Sequence, residues 1–222
     1  MARPSGGAVT DVTSTDGPAA DAARPDRVEF IVETRIPTEH GTFRVRGYRD
    51  LATGADHLAI VSTAPIGDPP LVRVHSECLT GEVLGSLKCE CGPQLHAALD
   101  RIDADGGVVI YLRGHEGRGI GLLEKLRAYR LQEDGLDTVD ANRALGHADD
   151  EREYGAAAAV LADLGIDRVR LMTNNPLKRQ DLERHGIAVT ELVPIVVGEN
   201  AANQAYLETK RDRMGHLLPA DL

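Results

Sequence analysis

Cys78, Cys89 and Cys91 are the only cysteines in the 222 residues, and all three fall within the stretch Arg73–Cys91. Ten residues separate the first two, and one separates the second from the third. An odd, clustered set of thiols does not pair off into disulfides. Zn²⁺ takes soft thiolates, and a set of three leaves its fourth position for water. The spacing is not the CxxC of a structural zinc knuckle, so it points to an open, catalytic kind of site. A closed structural site would need a fourth ligand, for which His75 and His96 are the nearest imidazoles. Cys78 alone would also suit a small buried hydrophobe. Cys89 and Cys91 are set among Lys88, Glu90 and Gly92, which argues against that for them.

Two further stretches carry chemistry. Directly before the first cysteine, Leu71–Glu77 reads as a strand in which Arg73, His75 and Glu77 share one face and Val72 and Val74 the other. That polar row is placed to face a ligand. Later, the apolar run Val108–Leu112 leads into Arg-Gly-His-Glu-Gly-Arg-Gly-Ile-Gly, residues 113–121, and then a helix. Four glycines between strand and helix have the layout of a phosphate-cradling loop, although the motif is neither GxGxxG nor Walker A. Arg113, Arg118, Lys125, Arg127 and Arg130 face only Glu116 and Glu124 there. Such a local positive stretch suits a small polyanion such as a nucleoside triphosphate, or else a solvated helix face. Leu122, Leu126 and Tyr129 fall at helical spacing, which places Tyr129 in the core. Asp149 and Asp150 precede an Ala-rich helix, where capping is the simplest role for either.

The elements that must hold these residues follow in order. Residues 1–27 are rich in small, polar and Pro residues and read as a flexible tail, and a chain of this length could form one large domain or two small ones. Phe30–Ile36 and Thr42–Gly47 read as a hairpin, and His57–Ser62 as a third strand. After Gly92-Pro93, an amphipathic helix with Gln94 in its first turn runs to Gly106. Asp137-Thr138 opens another segment. Strands at Val169–Thr173 and Ile187–Val197 flank a helix from Leu177 to His185, and a charged helix, Asn203–Met214, comes last. The fold class is therefore α/β, a mixed α+β arrangement of early antiparallel strands followed by βαβ elements. With Trp absent and aromatics at 3%, the core must rest on Val, Leu, Ile and Ala. A net charge of −10 argues against nucleic acid or an acidic membrane surface as partner. The longest apolar run, Ala156–Ala162, is far short of the roughly 18 residues of a membrane span. The odd thiol count and the lack of an apolar leader core suit a soluble cytoplasmic protein.

Over about residues 28–218 the chain closely resembles GTP cyclohydrolase II. Its most specific segments are Arg-Val-His-Ser-Glu-Cys-Leu-Thr-Gly, Ser-Leu-Lys-Cys-Glu-Cys-Gly, Gly-Arg-Gly-Ile-Gly-Leu, Asp-Glu-Arg, Leu-Met-Thr-Asn-Asn-Pro and Met-Gly-His-Leu-Leu. The resemblance implies hydrolysis of GTP to 2,5-diamino-6-ribosylamino-4(3H)-pyrimidinone 5′-phosphate, formate and pyrophosphate, the opening of riboflavin biosynthesis. It implies Zn²⁺ on Cys78, Cys89 and Cys91, with Mg²⁺ as a second cofactor. By the same match GTP is held by Arg73, Val74, His75, Ser76, Glu77, Gln94, Glu116, Gly117, Arg118, Thr138, Thr173 and Lys178. Asp150 matches a proton acceptor, Arg152 a nucleophile and Tyr129 a catalytic tyrosine. A guanidinium is protonated at all ordinary pH, so a charge clamp on the α-phosphate is an equally lawful role for Arg152. The loop Arg113–Arg118 carries one residue more than the family's short form, and His115 with it, resembling a variant of some members. The resemblance further implies that 28–222 is one catalytic domain, and it implies a homodimer and a stand-alone enzyme. Its alternatives are a paralogue that retains the formyl group or serves a specialised pathway, and a non-catalytic zinc-containing nucleotide-binding module.

Overall fold

The computed structural model describes residues 26–219. Residues 1–25, most of the segment read as a flexible tail, lie outside the described residues. Arg27 is already tied down, its guanidinium pairing with Asp50 and Glu153.

One seven-stranded sheet organises the chain. Its strands are β1 (Val28–Thr38), β2 (Gly41–Asp50), β3 (Asp56–Ser62), β4 (Leu71–Ser76), β5 (Gly107–Leu112), β6 (Arg168–Met172) and β7 (Ala188–Val193). Their order across the sheet is β1-β2-β3-β5-β4-β6-β7. The first three strands form an antiparallel meander that joins β5, while β5, β4, β6 and β7 run parallel. The expected mixed α/β class is what forms. The helices are α1 (Leu79–Glu82), α2 (Cys91–Asp105), α3 (Leu122–Glu133), α4 (Thr138–Ala144), α5 (Gly155–Asp163), α6 (Pro176–Arg184) and α7 (Gln204–Met214).

Two apolar layers sandwich the sheet. On one face, Val72, Val74, Val108, Ile110 and Val61 pack against α5, whose residues from Gly155 to Leu161 are all buried. A helix apolar all round belongs inside, and its run of alanines lets it lie close on the strands. On the other face, Leu71, Val109, Phe43 and Val45 meet Ala98 and Ile102 of α2. The alternation in β4 therefore decides geometry. Val72 and Val74 go to the α5 side, so Arg73 and His75 point to the α2 side.

The expected capping by Asp149 or Asp150 does not form. The β1–β2 hairpin does, yet within β1 only Val28 is buried. β1 lies at the sheet edge, so Phe30, Ile31, Val32 and Ile36 stay exposed. The Ala-rich helix starts at Gly155, five residues after Asp150, with no side-chain cap. Asp149 instead pairs with Arg143 and Asp150 with Arg152, while Asp181 accepts the Tyr154 N–H at 2.7 Å. Asp137, by contrast, caps α4 and accepts from the N–H groups of Val139 and Asp140. No helix among the described residues is long and apolar enough to cross a membrane.

Candidate active site

The parallel strands β4, β5 and β6 end at Ser76, Leu112 and Met172. From β4 the chain crosses to β5 on one side and later returns to β6 on the other, so a crevice opens beyond their carboxyl ends. A cavity of about 400 Å³ lies there.

The thiols line it. Cys78 and Cys89 Sγ lie 3.8 Å apart, and the ligand atoms of all three cysteines fall within 4.8 Å of one another. Tetrahedral zinc with Zn–S bonds of about 2.3 Å separates its sulfurs by about 3.8 Å, so the thiols fit that ion. Gly81 makes room for them, because a Cβ there would sit 2.8 Å from Cys89 Sγ and 3.3 Å from Cys78 Sγ. Cys91 is the first residue of α2, and Gln94 follows one turn on. Hydrogen bonds from Cys89 and Cys91, with the Lys125 ammonium, hold the Cys78 thiol far below the usual range. Neither histidine considered as a fourth ligand joins the group. His75 Nε2 is engaged by Glu82 Oε1 at 2.8 Å, and His96 lies on the outer face of α2 beside His40. The site is open.

A brace lies behind it. Lys125 Nζ donates to Cys78 Sγ at 3.0 Å, to Thr80 Oγ1 at 2.8 Å and to Glu116 Oε1 at 2.5 Å. Glu116 Oε2 accepts the Leu79 N–H at 2.6 Å. The Glu116 carboxylate is thus spent on the thiol-bearing loop, and its side chain does not line the cavity.

The glycine loop adopts the backbone its sequence demands. Gly114, Gly117, Gly119 and Gly121 all have φ between 62° and 97°. Arg118, at φ 68°, is the one non-glycine of positive φ among the described residues. A side chain held in a costly conformation is worth asking about. Here it turns the Arg118 guanidinium into the cavity, toward Asp149 O and over the Tyr206 ring. The extra loop residue, His115, anchors it through Nδ1 to Ser76 Oγ at 3.1 Å, and burial pushes this imidazole down to about 3.

The positive stretch read from sequence splits in two. Arg113, Arg127 and Arg130 are exposed; Arg113 is shared between Asp56 and Glu77, and the other two pair with Glu124 and Asp134. Only Arg118 and Lys125 of that set face the cavity. Its other cations come from distant segments: Arg73, Lys88, Arg152, Lys178 and Lys210. Arg73 is fixed by Met172 O and Gln94 Oε1. Arg152 meets Asp150 in a two-pronged pair, Nε to Oδ1 at 2.8 Å and Nη2 to Oδ2 at 2.6 Å. Burial opposes the charge on both partners. Their mutual attraction outweighs it, so Asp150 lies below and Arg152 above its ordinary range. Lys178, 5% exposed, donates to Val74 O at 2.8 Å. Burial and the nearby Arg73 and Arg152 hold its amine well below the usual lysine range.

Of the residues singled out from sequence, Arg73, His75, Ser76, Glu77, Gln94, Gly117, Arg118, Tyr129, Thr138, Arg152, Thr173 and Lys178 line the cavity with the three cysteines. Val74 sits in the α5 layer and reaches the site only through its carbonyl. Asp150 stands behind Arg152 rather than in the lining. Tyr129 is not the core residue that its spacing suggested. Leu126 of the same stripe is exposed, Lys125 and Ala128 are the buried positions of α3, and Tyr129 faces the cavity. Lys88 and Lys125 Nζ lie 4.7 and 5.7 Å from its ring centroid. Burial pushes its hydroxyl up to about 12, against the pull of Lys125. Sequence reasoning missed Asn174, Tyr206, Lys210 and His216, which also line the cavity. Met-Gly-His-Leu-Leu and Thr-Asn-Asn-Pro flagged two of those segments without assigning them a place.

The class so defined is a mixed α/β fold in which three thiols that could hold a metal ion line a cation-rich crevice. Residues 29–194 match the family model described as GTP cyclohydrolase II. The chain belongs to the GTP cyclohydrolase II family. It is 57% identical over 198 residues to "Riboflavin biosynthesis protein RibBA" of Salinispora arenicola, covering 88% of this chain and 47% of that protein. It is likewise 57% identical over 193 residues to the protein of the same name from Nocardia farcinica, covering 86% and 46%. The chain thus spans about half the length of the curated relatives it matches. A crystal structure titled as RibBX, a two domain 3,4-dihydroxy-2-butanone 4-phosphate synthase from A. baumannii, aligns at TM-score 0.44 and 20% identity, covering 79% of this chain and 42% of that one.

Proposed function

We propose that this chain hydrolyses GTP to 2,5-diamino-6-ribosylamino-4(3H)-pyrimidinone 5′-phosphate, formate and pyrophosphate, as a zinc- and magnesium-dependent GTP cyclohydrolase II of riboflavin synthesis. One observation carries the reading: three thiols at zinc spacing open into the same cavity as four converging cations from separate elements, Arg73, Arg118, Arg152 and Lys178.

Zinc, when bound to Cys78, Cys89 and Cys91, supplies Lewis-acid activation of water for hydrolysis of the guanine imidazole ring. The chain's own residues do the rest. Arg73, Arg118 and Lys178 neutralise the triphosphate, a preorganised electrostatic role. Tyr129, beside the thiols, has its hydroxyl protonated at neutral pH and so can donate a hydrogen bond or a proton. His75 is kept neutral by burial and by the charges of Arg73 and Lys178, and its Nδ1 has no partner, leaving a polar edge for the base or ribose. For Arg152, the two-pronged Asp150 pair favours a charge clamp on the α-phosphate over nucleophilic attack, since both partners are held in their charged forms. Mg²⁺ would share the phosphate charge.

The free thiols suit the reducing cytoplasm. A homodimer is part of the proposal. Leu84 and Leu126, both exposed, line a shallow groove next to Tyr129 and offer such a contact apolar surface. Sedimentation showing only monomer at micromolar concentration would remove that part. The test of the reaction is incubation of purified protein with GTP, Mg²⁺ and Zn²⁺, with products identified by mass spectrometry. The deformylated pyrimidine with formate and pyrophosphate is expected. A formylated product would make it a ring-opening paralogue, and unaltered GTP would refute both enzyme readings.

A further inference from the structure

The tip of the β1–β2 hairpin rests on the outer face of α2, away from the cavity. Glu39 and His40 form the turn. It is pressed on the helix, for a Cβ on Gly41 would meet Asp103 Oδ1 at 2.2 Å. From α2, His96 and Asp100 rise at i and i+4, on one side of the helix. His40 Nδ1 lies 2.7 Å from Asp100 Oδ1. That pairing leaves Nε2 as the ring's other nitrogen, and this atom is shut off from water and has no hydrogen-bond partner. A Glu39 carboxylate oxygen stands 3.8 Å from it. The His96 ring lies alongside, centroids 4.8 Å apart and tilted by 41°. One ligand atom each from Glu39, His40 and His96 fall within 4.8 Å of one another.

We propose that Glu39, His40 and His96 form a second metal site, with Asp100 orienting His40. A carboxylate on one imidazole nitrogen, with the other turned toward further donors, is how metal-binding histidines are usually held. Two imidazoles and one carboxylate suit a borderline divalent transition ion such as zinc, and not the all-oxygen preference of Mg²⁺ or Ca²⁺. Donors on tetrahedral zinc stand about 3.3 Å apart, given bonds of about 2.0–2.1 Å. The cluster must therefore tighten by an ångström or so, and Glu39, 82% exposed at its side chain, is free to close. The ion staples the hairpin to α2, the helix that begins at Cys91. None of the four residues lines the cavity, so this site stands whatever the reaction there proves to be.

The test is a titration of metal-stripped, full-length protein with Co²⁺, which reports its ligands by colour. Wild type should bind two ions per chain, one with the intense near-ultraviolet absorption of thiolate ligation and one with only weak visible bands. A Cys78→Ser/Cys89→Ser protein should keep the second ion alone. His96→Ala, at an exposed position, should keep the thiolate band and lose the other ion. Asp100→Asn should keep both ions but weaken the second by about 10–100-fold, as outer partners of metal ligands do. One ion per chain in folded wild type, or two in His96→Ala, would overturn the proposal.

Discussion

Lys178 offers a test in which stability and activity move in opposite directions. Its amine is buried, donates to the Val74 carbonyl, and faces the charges of Arg73 and Arg152. Burial and those charges put the native pKa below the unfolded one. Between the two values the unfolded chain binds more protons, so the native state gains stability as pH rises. Below the native value the full penalty applies, at about 1.4 kcal/mol for each unit of depression. Lys178→Met keeps the stem and removes the amine, losing one hydrogen bond worth about 1 kcal/mol. Once the depression exceeds a single unit, the Met protein is the more stable at neutral pH. Its advantage should then shrink by up to about 1.4 kcal/mol per pH unit and vanish near the ordinary lysine value of about 10.4. Urea unfolding of both proteins at unit pH steps reads this difference directly, and the cysteines cancel because both proteins carry them. Binding of the triphosphate should meanwhile weaken, since one of its cations is gone. A Met protein less stable than wild type at neutral pH, or an advantage flat with pH, would show that Lys178 carries no buried-charge penalty.

Three other substitutions probe the site. Tyr129→Phe should leave the fold intact and lower formate release by about 10²–10⁴-fold, the range of general acid–base groups; near-normal release would return Tyr129 to a packing role. Cys89→Ser should strip the zinc, measured by elemental analysis, and abolish formate release while pyrophosphate release continues and GMP accumulates; a folded, zinc-free protein that releases neither product would show the two steps to be coupled. Glu116→Gln loosens the Lys125 and Leu79 contacts behind the thiols and should weaken zinc by about 10–100-fold in competition with a chelator. Unchanged zinc affinity with weaker GTP binding would assign Glu116 to the substrate.

What could be read in the chain depended on how local the determining interaction was. The strand–glycine loop–helix run at 108–122, the helix expected from Leu177, which begins one residue earlier at Pro176, and the alternation in β4 follow from neighbours in sequence. The burial of β1 could not be read this way, because an edge and a central strand share one alternation, and only the sheet order separates them. The acids before α5 looked like caps until distant partners, Arg143 for one and Arg152 for the other, were in place. The cavity's positive charge misled for the same reason. Density along the chain pointed to 113–130, whereas convergence in space draws on β4, α6 and α7. Tyr129 shows the limit of periodicity: a helix covering a cavity presents polar and aromatic groups at the spacing that a core-facing helix would use.

The wall supplied by α7 is built differently from the rest. Tyr206, Thr209 and Lys210 line the cavity, and Lys210 reaches across to Glu90. Yet no residue of α7 belongs to either apolar layer of the sheet, although Leu207 is buried. During synthesis the sheet, the thiols and Lys178 all leave the ribosome before this helix does. A nascent chain can thus complete both layers while its crevice still lacks a side. Closure of the crevice is deferred until α7 docks, which joins a finished sheet to its last wall. Cleavage between β7 and α7 should separate them again, leaving a folded sheet with an unwalled crevice.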